Sequence, residues 1–96
     1  MTGVQEEEVM EQLGRVMDPE IGRSITELNL IDEVKTEDGN VEVVFHLTMP
    51  YCPPMFAMKI AGDIRDYASK AKGVEKVTVK LTDHYMADYI NENINR

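Results

Sequence analysis

The only cysteine of the sequence, Cys52, lies in a proline-rich segment at 49–54 (MPYCPP). Pro54 is predicted to occupy the first turn of a helix, where a proline loses no backbone hydrogen bond. The unpaired N–H groups and partial positive charge of a helix N-terminus stabilise a thiolate, the form of cysteine that attacks electrophiles and ligates soft metals. The alternative is a buried structural cysteine. The prolines favour a functional Cys52, because they hold a loop in few conformations.

Two carboxylates, Asp18 and Glu20, flank Pro19 at the end of the first predicted helix. Asp-Pro pairs are common in turns, so on spacing alone this segment is a turn that ends the helix. A carboxylate at the carboxyl end of a helix is electrostatically unfavourable, however, because the helix dipole is negative there. The pair therefore indicates a second reason for its presence.

The sequence contains two histidines, His46 and His84. In a thiol enzyme only these could act as the base that activates Cys52. Together with a single cysteine they match no zinc-binding spacing, which argues against a closed structural zinc site. The sequence also lacks the nucleophile elbow, the phosphate-binding loop and the paired-histidine helix of hydrolases. We therefore expect a protein that is not an enzyme.

Apolar periodicity predicts the elements that position these residues. A capping box at Thr2 and Gln5 begins the first helix, and Asp38-Gly39 supplies a hairpin turn. The last helix is weak, because its asparagines are poor helix formers. The predicted elements are a helix ending near Asp18, strands at 31–36 and 41–48, a helix from Pro54, a strand at 74–81 and a helix capped by Asp83.

This order, α-β-β-α-β-α, predicts an α/β fold of the two-layer α+β type, in which helices cover one face of a small mixed sheet. The hairpin gives an antiparallel pair of strands, and the helical crossover gives a parallel pair. A chain of 96 residues is long enough for one domain, so we expect a single domain over residues 1–96. Exposed strand edges in so small a sheet invite pairing, which favours a homodimer.

Composition narrows the classes of partner and compartment. The net charge of −8 argues against nucleic acid and against anionic membrane surfaces as partners. An acidic surface either keeps the protein soluble or docks basic proteins. One cysteine excludes an internal disulfide, and no apolar run approaches the roughly 20 residues that span a bilayer. The acidic start of the chain lacks the apolar core of a signal peptide, so we expect a cytoplasmic protein.

Two motifs in a fixed order resemble those of the SufT/PaaD-like family of iron–sulfur cluster assembly factors, which includes eukaryotic cytosolic targeting factors. The first is Asp18-Pro19-Glu20-Ile21-Gly22 after a helix, and the second is Thr48-x-x-x-Cys52-Pro53 at a strand-to-helix junction. The resemblance covers about residues 9–92. It implies an iron–sulfur assembly-type fold and a role in maturing iron–sulfur proteins, with assembly machinery and apo client proteins as partners.

Carried over by position, the resemblance implies that Cys52 is the reactive cysteine and metal ligand. Asp18, Glu20 and Thr48 are then the other residues of the cofactor-binding site. The chain departs from the family pattern in two places: His84-Tyr85 stands where such proteins often carry Pro-Trp, and Asn29 replaces a usual glycine. These departures leave the subfamily and the client open.

The single cysteine limits the mechanism, because an iron–sulfur cluster generally takes four thiolates. Either two subunits bring their Cys52 side chains together, or a partner supplies most of the ligands. We therefore expect a cluster that is held transiently by Cys52 during transfer. Two alternatives are a thiol-based redox protein with Cys52 as nucleophile, and an acidic adaptor that recognises clients while Cys52 is structural.

Overall fold

A computed structural model of the chain describes residues 5–19, 21–47 and 53–95. In chain order the elements are α1 (Glu6–Leu13), β1 (Ile31–Glu37), β2 (Asn40–His46), α2 (Pro54–Ala68), β3 (Lys76–Thr82) and α3 (Ala87–Ile94). The predicted order α-β-β-α-β-α is confirmed. Across all these described segments, no helix is long and apolar enough to cross a membrane.

The three strands form one mixed sheet in the order β1-β2-β3. β1 and β2 are antiparallel, and β2 and β3 are parallel, as the hairpin and the helical crossover predict. Asp38-Gly39 forms the hairpin turn between the paired residues Glu37 and Asn40. Asp38 has a φ angle of 54°, a conformation that aspartate tolerates better than most residues.

The hydrophobic core lies between one face of the sheet and the helices. α1 packs against α2 and β1, and α3 packs against α2 and β3. Alternate residues of β2 and β3 are buried on this face, because successive side chains of a strand point to opposite sides. The buried set of the two strands and of α2 includes Val41, Val43, Phe45, Val77, Val79, Leu81, Ala57, Ile60 and Ile64.

The prediction that the first helix runs to Asp18 is wrong, because α1 ends at Leu13. Val16 is nevertheless buried, so the apolar pattern continues beyond the helix. Its carbonyl accepts a hydrogen bond of 2.9 Å from the backbone N–H of Ile25, a partner from a distant segment. The capping box is also not formed: Gln5 is the N-cap but makes no side-chain hydrogen bond, and Thr2 lies outside the described residues.

The prediction that Asp83 caps the last helix is also wrong. α3 begins at Ala87 with Met86 as its N-cap, and Asp83 has a φ angle of 53°. His84 supplies the partners instead: its Nδ1 accepts from the N–H of Met86 at 3.0 Å, and its carbonyl accepts from the N–H of Ala87 at 3.1 Å. The chain thus turns sharply after β3 before the helix starts.

Candidate functional site

Asp18 lies in a tight loop that follows the turn after α1. Met17 and Ser24 form an isolated antiparallel bridge that closes the loop at its base. The backbone N–H of Asp18 donates to the carbonyl of Arg23 at 2.9 Å, and its carbonyl accepts from Gly22 at 2.7 Å. Gly22 has a φ angle of 77°, which favours glycine at this position. The chain is thereby folded back on itself, with Met17 and Asp18 beside Arg23 and Ser24.

The side chain of Asp18 is part of this loop, with only 3% of the residue's surface exposed. Oδ1 accepts a hydrogen bond of 3.3 Å from the backbone N–H of Ile21. The electrostatic argument for a second role of the pair does not hold, because α1 ends five residues before Asp18 and its dipole does not oppose the carboxylate. Glu20, the second carboxylate of the motif, lies outside the described residues.

The predicted strand-to-helix junction is present. β2 ends at His46, and α2 begins at Pro54 with Pro53 as its N-cap. The carbonyl of Pro53 accepts from the N–H groups of Phe56 and Ala57 at 3.0 and 3.3 Å, so the first turn of the helix is formed. Cys52 directly precedes Pro53 in the chain.

Thr48 and Cys52 lie outside the described residues. Their roles as cofactor-binding residues, and that of Cys52 as metal ligand, therefore stay predictions.

His46 lies at the end of β2, where a β-bulge in β1 brings Asp32 beside it. The register of the two strands shifts between Ile31 and Glu33, which leaves Asp32 as the extra residue. The two carboxylate oxygens of Asp32 lie 2.9 and 3.0 Å from Nδ1 of His46. Because a carboxylate can only accept, Nδ1 carries the proton, and the lone pair of the neutral ring is on Nε2. In this tautomer a histidine can bind metal or accept a proton through Nε2.

His84 has the opposite tautomer. Its Nδ1 accepts a hydrogen bond from the backbone N–H of Met86, which can only donate, so in the neutral ring the proton is on Nε2. The side chain is buried, with the residue only 8% exposed, whereas the neighbouring Tyr85 is 64% exposed. At the departure from the usual Pro-Trp pair, this chain therefore places a buried imidazole whose Nε2 is a hydrogen-bond donor.

Both histidines lie at the same end of the sheet. His46 is the register partner of Thr82, so the parallel strands β2 and β3 end side by side. His84 follows two residues after the end of β3. Ligands of α/β sheets commonly bind outside the carboxyl ends of the strands, and the β2–α2 connection that carries Cys52 leaves from this end. The structure thus places Asp32 and the two histidines at one end of the sheet.

A metal centre complete within the described segments is absent. Residues 5–19, 21–47 and 53–95 contain no group of three or more His, Cys, Asp or Glu side chains that could hold a metal ion. The whole sequence offers one thiol, whereas an iron–sulfur cluster takes four protein ligands. The donor set fits such a cluster only as cargo whose remaining ligands come from outside this chain.

Sequence reasoning missed Asp32 entirely. In a regular strand the hairpin register would place Asp32 opposite Phe45, because successive side chains alternate between the two faces of a sheet. Its side chain would then lie on the face opposite to that of His46. The bulge that redirects it appears only in the pairing of β1 with β2. No signal in the sequence marks this bulge.

Residues 6–81 match the family described as iron–sulfur cluster assembly protein. The chain is 38% identical over 90 residues to an uncharacterized protein of Methanocaldococcus jannaschii, covering 93% of both chains. It is 40% identical over 78 residues to the Fe-S protein maturation auxiliary factor of Porphyromonas gingivalis, covering 80% of this chain and 72% of that protein.

A third relative is much longer than this chain. The iron-sulfur cluster carrier protein of a Synechocystis species is 39% identical over 74 residues, which cover 77% of this chain but 20% of the carrier. Among solved structures, a domain of unknown function, DUF59, from Bacillus anthracis matches with a TM-score of 0.73 and 28% identity, covering 80% of this chain and 73% of that one. The protein therefore belongs to the iron–sulfur cluster assembly protein family, in its SufT/PaaD-like branch.

Proposed function

We propose that the protein assists the maturation of iron–sulfur proteins by delivering a cluster to apo client proteins, with Cys52 as a labile ligand. The match of residues 6–81 to the iron–sulfur assembly family carries this proposal. The names of two relatives, a maturation auxiliary factor and a cluster carrier, support it. The proposed role is that of a carrier in the cytoplasm, and not of an enzyme that turns over a substrate.

The proposed transfer is a ligand exchange without a change in redox state. A client thiol loses its proton and its thiolate binds the iron that Cys52 held. The Cys52–iron bond breaks, and the released thiolate takes up a proton. A single protein thiolate favours release, because the other ligands of the four-ligand cluster already belong to the client or to assembly proteins.

Anaerobic reconstitution with iron and sulfide tests the role of Cys52. Wild-type protein, with a small-molecule thiol supplying the remaining ligands, is expected to bind a labile cluster that passes to an apo-ferredoxin, whereas Cys52→Ser is expected to transfer none. Met55→Leu is the matched control, since Met55 also lies near the start of α2, is 77% exposed and offers a sulfur atom. A stable stoichiometric cluster that survives Cys52→Ser would refute the proposal.

One feature of the described surface supports the adaptor alternative as a second candidate. Met17 and Ile21 flank Asp18 and are 49% and 46% exposed, although they are large apolar side chains. Contiguous patches of exposed apolar side chains are typical of protein-binding surfaces. Capture of the same client proteins by wild type and by Cys52→Ala, together with loss of capture by a Met17→Ser/Ile21→Ser variant, would favour the adaptor.

We also propose that the protein forms a homodimer through the outer edge of β1. The opposite edge of the sheet, on β3, is covered by α3. No described residue outside β2 hydrogen-bonds to the backbone of β1. Its solvent-facing side chains alternate in charge in a way that suits a second copy of the same strand.

A further inference from the structure

We propose that His46 is a second metal-binding residue of this chain, which ligates iron of the cargo, or a zinc ion in its place, through Nε2. The proposal deepens the proposed function and rests on it for the identity of the cargo. It concerns a residue that the family motifs do not include, because those motifs are Asp18-Pro19-Glu20 and Thr48-x-x-x-Cys52.

The first argument is the tautomer of the ring. Asp32 accepts from Nδ1 with both carboxylate oxygens, at 2.9 and 3.0 Å, and in the neutral ring this leaves the lone pair on Nε2. Histidines that bind metals almost always donate their other ring N–H to a carboxylate, a carbonyl or water. This second contact fixes the orientation of the ring and raises its basicity as a ligand. His46 therefore has the arrangement of a metal ligand before any metal is present.

The second argument is the access of the ring nitrogen. The side chain of His46 is 32% exposed, so a metal ion in solution can reach it. Within the described part of the chain, Nε2 makes no hydrogen bond that a metal would have to displace. His84 differs on both counts, because it is buried and its Nδ1 lone pair already accepts from Met86. Of the two histidines, only His46 can offer a free lone pair.

The third argument is the position of the pair. The β-bulge that carries Asp32 lies where β1 faces the last residues of β2, and bulges are over-represented next to functional sites because they re-aim a side chain. From His46 the chain runs directly into the connection that contains Cys52. A thiolate and an imidazole are the two ligand types that iron and zinc accept most readily.

Zinc titration followed by NMR tests the proposal without relying on a loaded cluster. Protein with ¹⁵N-labelled histidine is titrated with Zn²⁺, and the imidazole nitrogens of both histidines are followed. Before zinc is added, His46 is expected to be protonated on Nδ1 and His84 on Nε2. Zinc is then expected to shift Nε2 of His46 and to leave His84 unchanged. A shift of His84 alone, or of neither residue, would overturn the proposal.

Variants of Asp32 test whether it supports His46 as a metal ligand or only forms a surface ion pair with it. Asp32→Ala is expected to weaken zinc binding about 10- to 100-fold, the usual effect of removing the partner of a metal-bound histidine. Asp32→Asn, whose amide oxygen can still accept from Nδ1, is expected to restore part of the affinity. Glu33→Ala removes a neighbouring exposed carboxylate that does not contact His46, and it is the control. Equal affinities for Asp32→Ala and Glu33→Ala would contradict the role of Asp32.

Cluster reconstitution distinguishes this proposal from the proposed function. His46→Ala is expected to bind a cluster that is lost several-fold faster than that of wild type, with a changed absorption spectrum. If Cys52→Ser abolishes the cluster while His46→Ala leaves its lifetime and spectrum unchanged, the proposed function stands and the role of His46 falls. If His46→Ala loses zinc while Cys52→Ser retains full cluster transfer, the role of Cys52 falls instead.

Discussion

At the scale of single residues, Asn29 accounts for one of the two departures from the family pattern. Its φ angle is 57°, and it is one of three non-glycine residues with a positive φ angle in the part of the chain that the structure describes. Its backbone N–H donates to the carbonyl of Thr26 at 3.2 Å, and the next residue, Leu30, leads into β1. Glycine adopts this conformation without strain, and asparagine is among the residues that tolerate it best. The replacement of glycine by asparagine therefore preserves the backbone conformation that leads into β1.

Asn29→Ala is expected to lower the free energy of unfolding by about 1 kcal/mol, because a Cβ without a polar side chain is unfavourable in the left-handed region. The free energy of unfolding of Asn29→Gly is expected to stay within about 0.5 kcal/mol of wild type. Glycine relieves strain in the folded state, but it also gives the unfolded chain more backbone freedom, and the two effects offset each other. Urea unfolding followed by circular dichroism measures both. Glu27→Ala, at an exposed position of the same turn, is the control. A neutral Asn29→Ala would show that φ at this residue is not constrained.

Asp18 has a structural role that can be measured separately from any role in cluster transfer. Asp18→Ala removes the acceptor of the Ile21 N–H, and we expect a loss of about 1–3 kcal/mol in the free energy of unfolding. Asp18→Asn retains an acceptor oxygen and is expected to lose less than half of that. The same urea unfolding assay applies. If both variants were as stable as wild type but defective in transfer, the carboxylate would act on the cargo alone.

At the scale of elements, α3 protects the edge of the sheet through two asparagines. Asn91 and Asn95 lie one helical turn apart and pair with the backbone of β3 as a neighbouring strand would. The amide of Asn91 accepts from the N–H of Leu81 at 2.7 Å and donates to its carbonyl at 3.0 Å. Asn95 does the same with Val79, at 2.9 and 2.8 Å. The residues that weaken the helix by propensity thus fix it on the edge strand.

Removal of these amides is expected to loosen α3 and to uncover the edge of β3. Asn91→Ala and Asn95→Ala each leave a backbone N–H and a carbonyl without partners, so we expect losses of about 1–3 kcal/mol per variant. Asn93→Ala is the matched control, because Asn93 lies on the same helix and bonds only the carbonyl of Tyr89. Hydrogen exchange of the Val79 and Leu81 amides is expected to accelerate in the first two variants and not in the control.

Local sequence patterns were sufficient to predict the helices and strands, but not the contacts that fix their ends and side chains. The hairpin, the parallel crossover and the helix after Pro53 follow from alternation, a turn dipeptide and a proline at a helix start. After α1 the carbonyl of Val16 accepts from Ile25, nine residues further on, and before α3 the ring of His84 accepts from Met86. Apolar periodicity predicts neither contact. The contact between Asp32 and His46 required a bulge that no periodicity marks. Of the four predicted site residues, the structure describes only Asp18.

At the scale of the whole molecule, the free edge of β1 specifies how two copies would pair. Glu37 and Asn40 close the hairpin, so Val34 and Thr36 direct their backbone groups away from β2. An antiparallel pair of β1 strands with its two-fold axis at Val34 places Glu33 opposite the partner's Lys35, twice. An axis at Lys35 would instead oppose two lysines. The alternating charges of this strand therefore disfavour the Lys35 register. They permit an axis at Val34 and also one at Thr36, where Lys35 would face the partner's Glu37, and the Val34 register is the one we propose.

This register has a consequence for the cargo. Val34 is paired with Val43, so His46 lies three residues, or about 10 Å, from the axis along the strand direction. The two copies of β2 are about 14 Å apart across the sheet, which separates the two His46 residues by about 25 Å, far more than the width of a cluster. A single cluster ligated by His46 of both copies does not fit such a dimer. The remaining ligands would come from client or assembly proteins, one site per subunit.

Charge exchange tests this register in full. Lys35→Glu turns two attractive contacts into two repulsive ones. Each contact loses roughly 0.5 kcal/mol of attraction and gains roughly 0.5 kcal/mol of repulsion, so the dimer is weakened by about 2 kcal/mol and its dissociation constant rises about 30-fold. Glu33→Lys combined with Lys35→Glu restores opposite charges and is expected to restore the dimer. Lys80→Glu makes the same change in net charge at an exposed position of β3 and is the control. With the axis at Thr36 the doubly exchanged variant would stay weakened, because the carboxylate introduced at position 35 would face the partner's Glu37. Sedimentation equilibrium separates these outcomes, and a wild-type monomer at millimolar concentration would exclude the β1 edge as an interface.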